Sequence, residues 1–315
     1  MKIAALDLGS NTFICLICEV ENNRITTIYE DVIEFVRLAE GMQKTDPKQI
    51  TADAFSRAEL AFQKFQVLIE KHKPQHILGM GTSATRDAAN KDHLIALGKK
   101  YGIPIEAIPG HAEAAITNQG ALSNRESAEL LNKKIMVVDI GGGSTEFILS
   151  LGGPSEAEIV KAQSYDIGCV RIKEKFHLAQ PVEDSTFLEA QDFISDKLTD
   201  FKMQNLQAAS DIHEILAVAG TPTTLAMAQL KTTDVTKVEG FQLSEQDLNN
   251  WLIKTKRAKI HELVDWGVPA GRADVILVGI ITLLLVLKKF NKMSLTVSTR
   301  GVRHGIALLV YNRHK

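Results

Sequence analysis

Cysteine is scarce in this chain, and its scarcity limits the folds that are open to it. Three cysteines among 315 residues are too few, and odd in number, for a disulfide framework. Cys15 and Cys18 form a C-x-x-C pair, but they lie in FICLICEV, a pattern typical of a β-strand. Residues three apart in a strand lie on opposite faces, about 10 Å from each other. We therefore expect both thiols to be small buried hydrophobic groups that neither form a disulfide nor bind a metal.

Long hydrophobic runs are also absent. The longest, VILVGIITLLLVL at 275–287, is closed by Asp274 and Lys288. It falls short of the roughly 20 residues that span a bilayer, so we predict a buried core helix. The first residues, MKIAALDLGSNTF, lack the apolar region and cleavage site of a signal peptide. These features predict a cytoplasmic protein without a membrane segment.

An excess of charge of one sign is the third feature that the sequence lacks. The formal net charge is −2, which offers no global attraction to DNA, RNA or an anionic membrane. We expect none of these as a partner. A polyanionic substrate would need local cationic groups.

Hydrophobic patterns of strand and helix type alternate along the chain, which predicts an α/β fold. Its length suits two domains, because single cores stop growing at about 250–300 residues. Strand patterns come first, with a turn at 21–23, and Ser244 and Asp247 have the spacing of a helix capping box. The predicted helices cover residues 51–72, 83–102, 111–123 and 183–205.

An internal repeat organises these elements. AALDLGSNTF (4–13) and VVDIGGGSTEF (137–147) each have an apolar strand, an aspartate, a turn with glycine and small hydroxyl residues, and a second strand. Neither has the GKS/T of a P-loop, and no helix follows directly, which argues against a dinucleotide-binding site. The repeat predicts two duplicated domains that face each other across a cleft.

The second copy of the repeat has an unusual charge pattern. Three consecutive glycines, Gly141 to Gly143, lie between Asp139 and Glu146. Backbone amides of a glycine turn are suited to bind an anion, yet two carboxylates about 4 Å apart repel by roughly 4 kcal/mol at an effective dielectric of 20. A cation that offsets this repulsion is therefore expected.

Eight short segments occur in an order that resembles the signature segments of one family. They are DLGSNT (7–12), RLAEG (37–41), GTSATRDAAN (81–90), IPGHAEA (108–114), DIGGGSTE (139–146), AVAGTPTTLA (217–226), GRADVI (271–276) and STRGVRHGI (298–306). By these segments the chain resembles the exopolyphosphatase/guanosine pentaphosphatase (Ppx/GppA) family over essentially its whole length. The resemblance implies a two-domain actin-like ATPase (ribonuclease H-like) fold with a phosphate-binding cleft between the domains. It implies one domain at 1–123 plus 300–315 and a second at 124–299.

The resemblance also implies a role for each site residue. Glu113 is the expected general base, and Glu146 is the next candidate for that role. Mg²⁺ or another divalent cation is expected on Asp139 and Glu146, with Asp7 as the third candidate ligand. The expected phosphate-binding residues are Ser10, Asn11, Thr12, Arg86, Gly141, Gly142, Gly143, Ser144 and Thr145.

Several activities are compatible with such a centre. The leading expectation is Mg²⁺-dependent release of terminal orthophosphate from polyphosphate, and the alternative is hydrolysis of guanosine pentaphosphate (pppGpp). A small-molecule kinase of the same fold has no reason to carry the Glu113 segment, and a non-catalytic (p)ppGpp-binding protein needs no general base. A homodimer is compatible with the resemblance. Longer members of the family continue into helical C-terminal domains after the segment that 298–306 resembles, so the resemblance does not extend to processive threading of very long polyphosphate.

Overall fold

The computed structural model describes residues 1–153, 157–204 and 211–315. In these ranges the strands are β1 (Lys2–Leu8), β2 (Phe13–Glu21), β3 (Arg24–Glu34), β4 (His76–Gly81), β5 (Ile105–Ala107), β6 (Lys134–Ile140), β7 (Thr145–Gly152), β8 (Ala157–Tyr165), β9 (Glu214–Val218), β10 (Gln242–Ser244) and β11 (Ser294–Val297). The α-helices are α1 (Ala52–His72), α2 (Ser83–Asp87), α3 (Lys91–Lys100), α4 (Gly110–Leu122), α5 (Ser127–Leu130), α6 (Cys169–Lys175), α7 (Asp184–Gln204), α8 (Gly220–Leu230), α9 (Glu245–Arg257), α10 (Ile260–Asp265), α11 (Ala270–Ala273), α12 (Ile276–Lys289) and α13 (Val302–His314).

The chain divides into two compact units. The first comprises Met1–Asn124 and Arg300–Lys315, and the second comprises Arg125–Thr299. Each unit has its own sheet and its own buried core.

The sheet of the first unit has the order β3-β2-β1-β4-β5. β1, β2 and β3 are antiparallel neighbours, while β4 and β5 continue the sheet in parallel to β1. Asn22 and Asn23 form the β2–β3 turn at φ 50° and 61°, a conformation that two-residue hairpins favour and asparagine tolerates. The predicted turn is thus confirmed at Asn22 and Asn23, while Glu21 is the last residue of β2. The C-terminal helix α13 packs on β1 and on α4.

The second unit repeats this arrangement. Its order is β10-β11-β9-β6-β7-β8, in which β6, β7 and β8 form an antiparallel meander and β9 and β11 are parallel to β6. The additional edge strand β10 is antiparallel to β11. The sequence repeat therefore corresponds to a repeat of sheet topology. The predicted core helix is confirmed as α12, in which even Thr282 is fully buried and its hydroxyl donates to Val278 O at 2.9 Å.

The prediction of one helix over 83–102 is wrong. The helix is interrupted between Asp87 and Lys91. The Asn90 side chain accepts from Ile50 N and donates to Ile50 O, both at 2.9 Å, so this segment bonds to the chain before α1 instead of continuing a helix. The predicted helix at 183–205 is α7, and its last predicted residue, Asn205, lies outside the described residues.

The cysteines and the predicted capping box agree with expectation. All three thiols are free and buried, and burial raises the pKa of Cys15 and Cys18 to about 12 and that of Cys169 to about 11. Ser244 and Asp247 form the capping box of α9. No helix in the described ranges combines the length and apolar character needed to cross a membrane.

Candidate active site

A buried pair of carboxylates marks the second copy of the repeat. β6 and β7 form a hairpin whose register places Asp139 directly opposite Glu146. Opposed residues of an antiparallel pair have Cβ atoms about 4.5–5.5 Å apart on the same face. Both residues are buried, and Glu146 Oε1 accepts from Ser164 Oγ at 2.7 Å. The two like charges predicted to be close are therefore neighbours on one face of the sheet.

The glycine loop between these strands directs its carbonyl oxygens towards α6. Gly141 O accepts from Cys169 N at 2.9 Å, and Gly142 O accepts from Val170 N at 2.8 Å. In the described ranges, the backbone N–H groups of Gly142, Gly143 and Ser144 donate no hydrogen bond. These three N–H groups are the ones that a phosphate would need.

Gly168 and Arg171 support this loop, and sequence reasoning missed both. A Cβ at Gly168 would overlap the backbone of Gly142 and Gly143, so only glycine permits the close approach of α6. The Arg171 Nε group donates to Gly143 O at 2.7 Å. The available signal was a glycine immediately before a helix, whereas nothing near Arg171 in the sequence indicated its contact.

Of the predicted hydroxyl residues in this loop, Ser144 and Thr145 are both buried. Thr145 Oγ1 donates to Ile167 O at 3.2 Å. Its hydroxyl proton is therefore used at the start of β7. For a phosphate, Thr145 has only its backbone amide or a hydroxyl lone pair left to offer.

The first copy of the repeat closes in the same way. Gly9 N donates to Thr12 O at 3.0 Å, as Gly141 N donates to Ser144 O at 3.0 Å. The difference lies in the facing residue, because Asp7 is opposite Ile14 whereas Asp139 is opposite a carboxylate. The repeat therefore keeps the loop geometry but provides an opposed acidic pair only once.

Two neighbouring segments hold the first loop. Ser10 O accepts from Ala39 N at 2.9 Å, Asn11 O accepts from Arg37 N at 2.8 Å, and Ser10 Oγ accepts from Ala84 N at 3.2 Å. The carbonyl oxygens here, as in the second loop, bond to protein. The Ser10 side chain is thereby tied to the first turn of α2.

Arg57 fixes the segment that follows β3, and the sequence did not indicate this role. Its Nε donates to Val36 O at 2.7 Å and its Nη2 donates to Glu40 Oε2 at 2.9 Å. Arg57 thus connects α1 to the residues that support the first loop. RLAEG, at 37–41, positions the loop through its backbone.

The candidate base is paired with the candidate phosphate-binding arginine. Glu113 lies in the first turn of α4, is 5% exposed, and accepts from Arg86 Nη1 at 3.0 Å. The same Nη1 donates to Ile108 O at 3.1 Å. A guanidinium carries five N–H donors, and in the described ranges the Nε and Nη2 groups of Arg86 donate to no other atom. Arg86 can therefore orient Glu113 and still bind a phosphate oxygen.

The acidic residues fit a magnesium ion better than a metal held by protein alone. Across the described residues, no three His, Cys, Asp or Glu side chains converge in a way that could hold a metal ion. Mg²⁺, however, is usually bound by one or two carboxylates together with waters and substrate phosphate. Asp139 and Glu146 meet that requirement as a pair. Asp7 belongs to the other compact unit.

The later arginines have structural partners. Arg272 Nη1 donates to Gly220 O at 2.9 Å, while Asp274 forms an ion pair with Lys173. Arg303 forms a two-point ion pair with Asp31 at 2.8 and 2.9 Å. These bonds connect elements within each unit.

Known proteins resemble this chain over most of its length. The sequence model of the Ppx/GppA phosphatase family matches residues 16–314. A bifunctional 3-dehydroquinate synthase/phosphatase of Fusobacterium nucleatum is 33% identical over 94% of this chain, but the chain spans only 44% of that protein. Exopolyphosphatase 2 of Mycobacterium tuberculosis is 30% identical, with 98% of both chains covered.

Solved structures agree with the fold. The crystal structure of an exopolyphosphatase from Cytophaga hutchinsonii is 27% identical and has a TM-score of 0.88, covering 100% of this chain and 99% of its own. A Ppx/GppA enzyme of Aquifex aeolicus is 25% identical and has a TM-score of 0.77, covering 98% and 99%. The mixed α/β fold with two sheets is thus of the predicted actin-like ATPase type. The chain belongs to the Ppx/GppA phosphatase family and is a phosphohydrolase.

Proposed function

We propose that this phosphohydrolase releases terminal orthophosphate from inorganic polyphosphate and that it requires a divalent cation, Mg²⁺. The observation that carries the proposal is the buried pair of Asp139 and Glu146, opposed beside a glycine loop with available amides. Relatives named exopolyphosphatase support the choice of substrate. A divalent cation on the pair would neutralise phosphate oxygens and offset the repulsion between the two carboxylates.

The glycine-loop amides and Arg86 bind the substrate in this proposal. Amides of Gly142, Gly143 and Ser144 donate to phosphate oxygens, as do the remaining N–H groups of Arg86. Ser10, Asn11 and Thr12 line the equivalent turn in the first unit. Such contacts offset the strong charge of a phosphoric anhydride and position its terminal group.

Glu113 acts as the general base. The oxygen of a water molecule attacks the terminal phosphorus, the anhydride P–O bond breaks, and the proton of the water passes to Glu113. The ion pair with Arg86 Nη1 at 3.0 Å keeps this carboxylate in one orientation. Positioning of this kind is a major part of catalysis of phosphoryl transfer.

A comparison of substrates in separate assays tests the proposal. We expect phosphate release with Mg²⁺ from polyphosphate to exceed that from pppGpp and ATP, and we expect EDTA to abolish it. Faster hydrolysis of pppGpp would favour the guanosine pentaphosphatase alternative. Full activity in EDTA would contradict the metal assignment.

A substitution of Glu113 tests the base. Glu113→Gln retains size and hydrogen-bonding capacity but cannot accept the proton, so kcat should fall about 10²- to 10⁴-fold with KM little changed. Glu70→Gln, on the exposed face of α1, is the matched control and should behave as wild type. If Glu113→Gln retains kcat within about threefold, the base lies elsewhere and Glu146 is the next candidate.

A further inference from the structure

A row of three polar side chains crosses the antiparallel meander of the second unit. The strand register places Asp139 of β6 opposite Glu146 of β7, and it places Glu146 opposite Ser164 of β8. Residues directly opposite each other in antiparallel strands lie on the same face of the sheet. Ser164 lies outside all eight motif segments, so the motifs gave no signal for it. The structure adds Ser164 to the carboxylate pair as a direct neighbour of Glu146.

The first unit contains the equivalent row, and there it is apolar after the first residue. β1, β2 and β3 have the same order in their sheet as β6, β7 and β8. Their register places Asp7 opposite Ile14, and it places Ile14 opposite Ile33. Where the repeat has a second carboxylate it also has a hydroxyl beside it, and where it lacks that carboxylate both positions are isoleucine. The hydroxyl of Ser164 therefore accompanies the carboxylate pair rather than the strand topology.

A short hydrogen bond joins the serine to the carboxylate. Ser164 Oγ donates to Glu146 Oε1 at 2.7 Å, and Glu146 is 1% exposed. A hydrogen bond to an ionised oxygen is about twice as strong as one between neutral groups. Repulsion by Asp139 favours rotation of the Glu146 carboxylate away from its neighbour. The bond from Ser164 opposes that rotation.

The hydrogen bond also leaves Glu146 able to bind a cation. An ionised carboxylate has about four lone-pair sites, so one bond to Oε1 does not exhaust its capacity. Mg²⁺ requires near-ideal octahedral geometry with oxygens at about 2.0–2.1 Å, and a ligand that is free to rotate meets this requirement poorly. A partner that holds a metal ligand in place typically contributes about 10- to 100-fold to metal affinity.

We propose that Ser164 is a positioning residue, which holds the Glu146 carboxylate beside Asp139 so that the pair can bind one divalent cation. This proposal rests on the proposed function, because that function assigns the cation to Asp139 and Glu146. Ser164 acts through Glu146 and not on the substrate. Its role is therefore the same whether the enzyme hydrolyses polyphosphate or pppGpp.

Binding of Mn²⁺ to the full chain without substrate tests the role directly. Mn²⁺ suits the same carboxylate and water ligands as Mg²⁺, and the electron paramagnetic resonance signal of the free ion reports how much is bound. We expect Ser164→Ala to weaken Mn²⁺ binding by about 10- to 100-fold. Ser164→Thr keeps the hydroxyl and suits a strand, so it should remain within about threefold of wild type. Asp139→Asn should weaken binding in the same titration, which places the ion at the pair.

Phosphate release gives a second readout that separates positioning from damage to the fold. Ser164→Ala should need about 10- to 100-fold more Mg²⁺ for half-maximal activity, and saturating Mg²⁺ should restore its kcat and KM. The matched control is Ser294→Ala, which removes another strand serine of the same unit, one whose hydroxyl donates to Gln242 Oε1 at 3.3 Å. It should bind Mn²⁺ and respond to Mg²⁺ like wild type.

Three results would overturn the positioning role. They are Mn²⁺ binding by Ser164→Ala as tight as that of wild type, a loss in Ser164→Thr as large as that in Ser164→Ala, and activity of Ser164→Ala that saturating Mg²⁺ does not restore. Each of these results leaves the proposed function in place if wild type depends on Mg²⁺. Full activity of wild type in EDTA would instead overturn the cation assignment and the role of Ser164 together.

Discussion

At the scale of single residues, Arg86 both holds the segments around the candidate base together and is a candidate phosphate-binding group. Arg86 Nη1 contacts both Ile108 O and Glu113 Oε2. Ser10 Oγ is tied to the first turn of the helix that carries Arg86. A change at Arg86 should therefore alter catalysis through Glu113 as well as through the phosphate.

We expect Arg86→Lys to lower kcat/KM by about 10- to 150-fold, the cost of one charge-assisted hydrogen bond of about 1.5–3 kcal/mol. The ammonium keeps the charge but has no planar fork that reaches Glu113 and a phosphate together. Steady-state phosphate release measures the effect. In combination with Glu113→Gln the losses should be less than additive, and full additivity would show that the two residues act independently.

A second residue-scale prediction concerns His304, which is buried in the first turn of α13. Desolvation, followed by the charges of Arg303 and Arg300, lowers its pKa well below 6.5. The folded protein therefore keeps His304 neutral at pH values where the unfolded chain protonates it. The free energy of unfolding should fall as pH drops below about 6.5, by up to about 1.4 kcal/mol per pH unit.

Denaturant unfolding of wild type and His304→Asn between pH 8 and 5, roughly the window set by that pKa, checks this expectation. The variant should lose this part of the pH dependence, since asparagine does not titrate. His261→Asn, at an exposed site, should retain the wild-type slope. Parallel curves for wild type and His304→Asn would contradict the assignment.

At the scale of elements, one helix crossing fixes the helix that carries the candidate base. A Cβ at Gly305 of α13 would overlap the Ile116 carbonyl of α4, and a Cβ at Gly120 of α4 would overlap Gly301 O. The backbones of the two helices are thus in direct contact, with no room for a side chain between them. Because α4 also carries Glu113, we expect the C-terminal helix to position this candidate base.

Gly305→Ala should lower the free energy of unfolding by about 1–3 kcal/mol, as overpacking in a tight core does. It should also lower kcat, since α4 must shift to admit the methyl group. Chemical unfolding and phosphate release measure the two effects. Ala115→Ser adds one atom to the exposed face of α4 and should change neither. A stable, fully active Gly305→Ala would disprove the positioning role.

At the scale of the whole molecule, two units of similar topology differ in the acidic residues beside their loops. Both strand–turn–strand loops close through the same backbone bond. Asp139 faces Glu146 across its hairpin, whereas Asp7 faces Ile14. The two units therefore share the loop geometry, while the opposed carboxylates occur at one hairpin of the repeat.

We expect Asp139→Asn to raise the Mg²⁺ concentration for half-maximal activity by at least about 10-fold, since even outer-sphere partners of a metal contribute 10- to 100-fold. Asp7→Asn should raise it less, because no second carboxylate faces Asp7 across its hairpin. Mg²⁺ titration of phosphate release, with calorimetric Mg²⁺ binding as a second readout, distinguishes the variants. An equal or larger effect of Asp7→Asn would place the cation at the first loop.

Local chemistry makes several features of this protein predictable from its sequence. The Asn22–Asn23 turn, the capping box of α9 and the core helix α12 each depend on residues a few positions apart. The repeated strand–turn–strand pattern also predicts the repeated topology. The roles of the candidate residues in both loops follow from the resemblance of their motifs to those of the family, and they stay predictions, of which the variants of Asp139 and Asp7 test two.

Other features depend on residues that are distant along the chain. The break between α2 and α3 arises because Asn90 bonds to Ile50, and the pairing of Arg86 with Glu113 joins two helices. Gly168 matters only because α6 packs against the glycine loop. The sequence by itself thus determined most of the elements and the repeat, since these follow from preferences of residues that are close along the chain, while the candidate chemistry followed from the resemblance of its motifs to those of the family. Tertiary structure alone decided which buried groups are partners, because burial and hydrogen bonding are satisfied between elements that no local pattern relates.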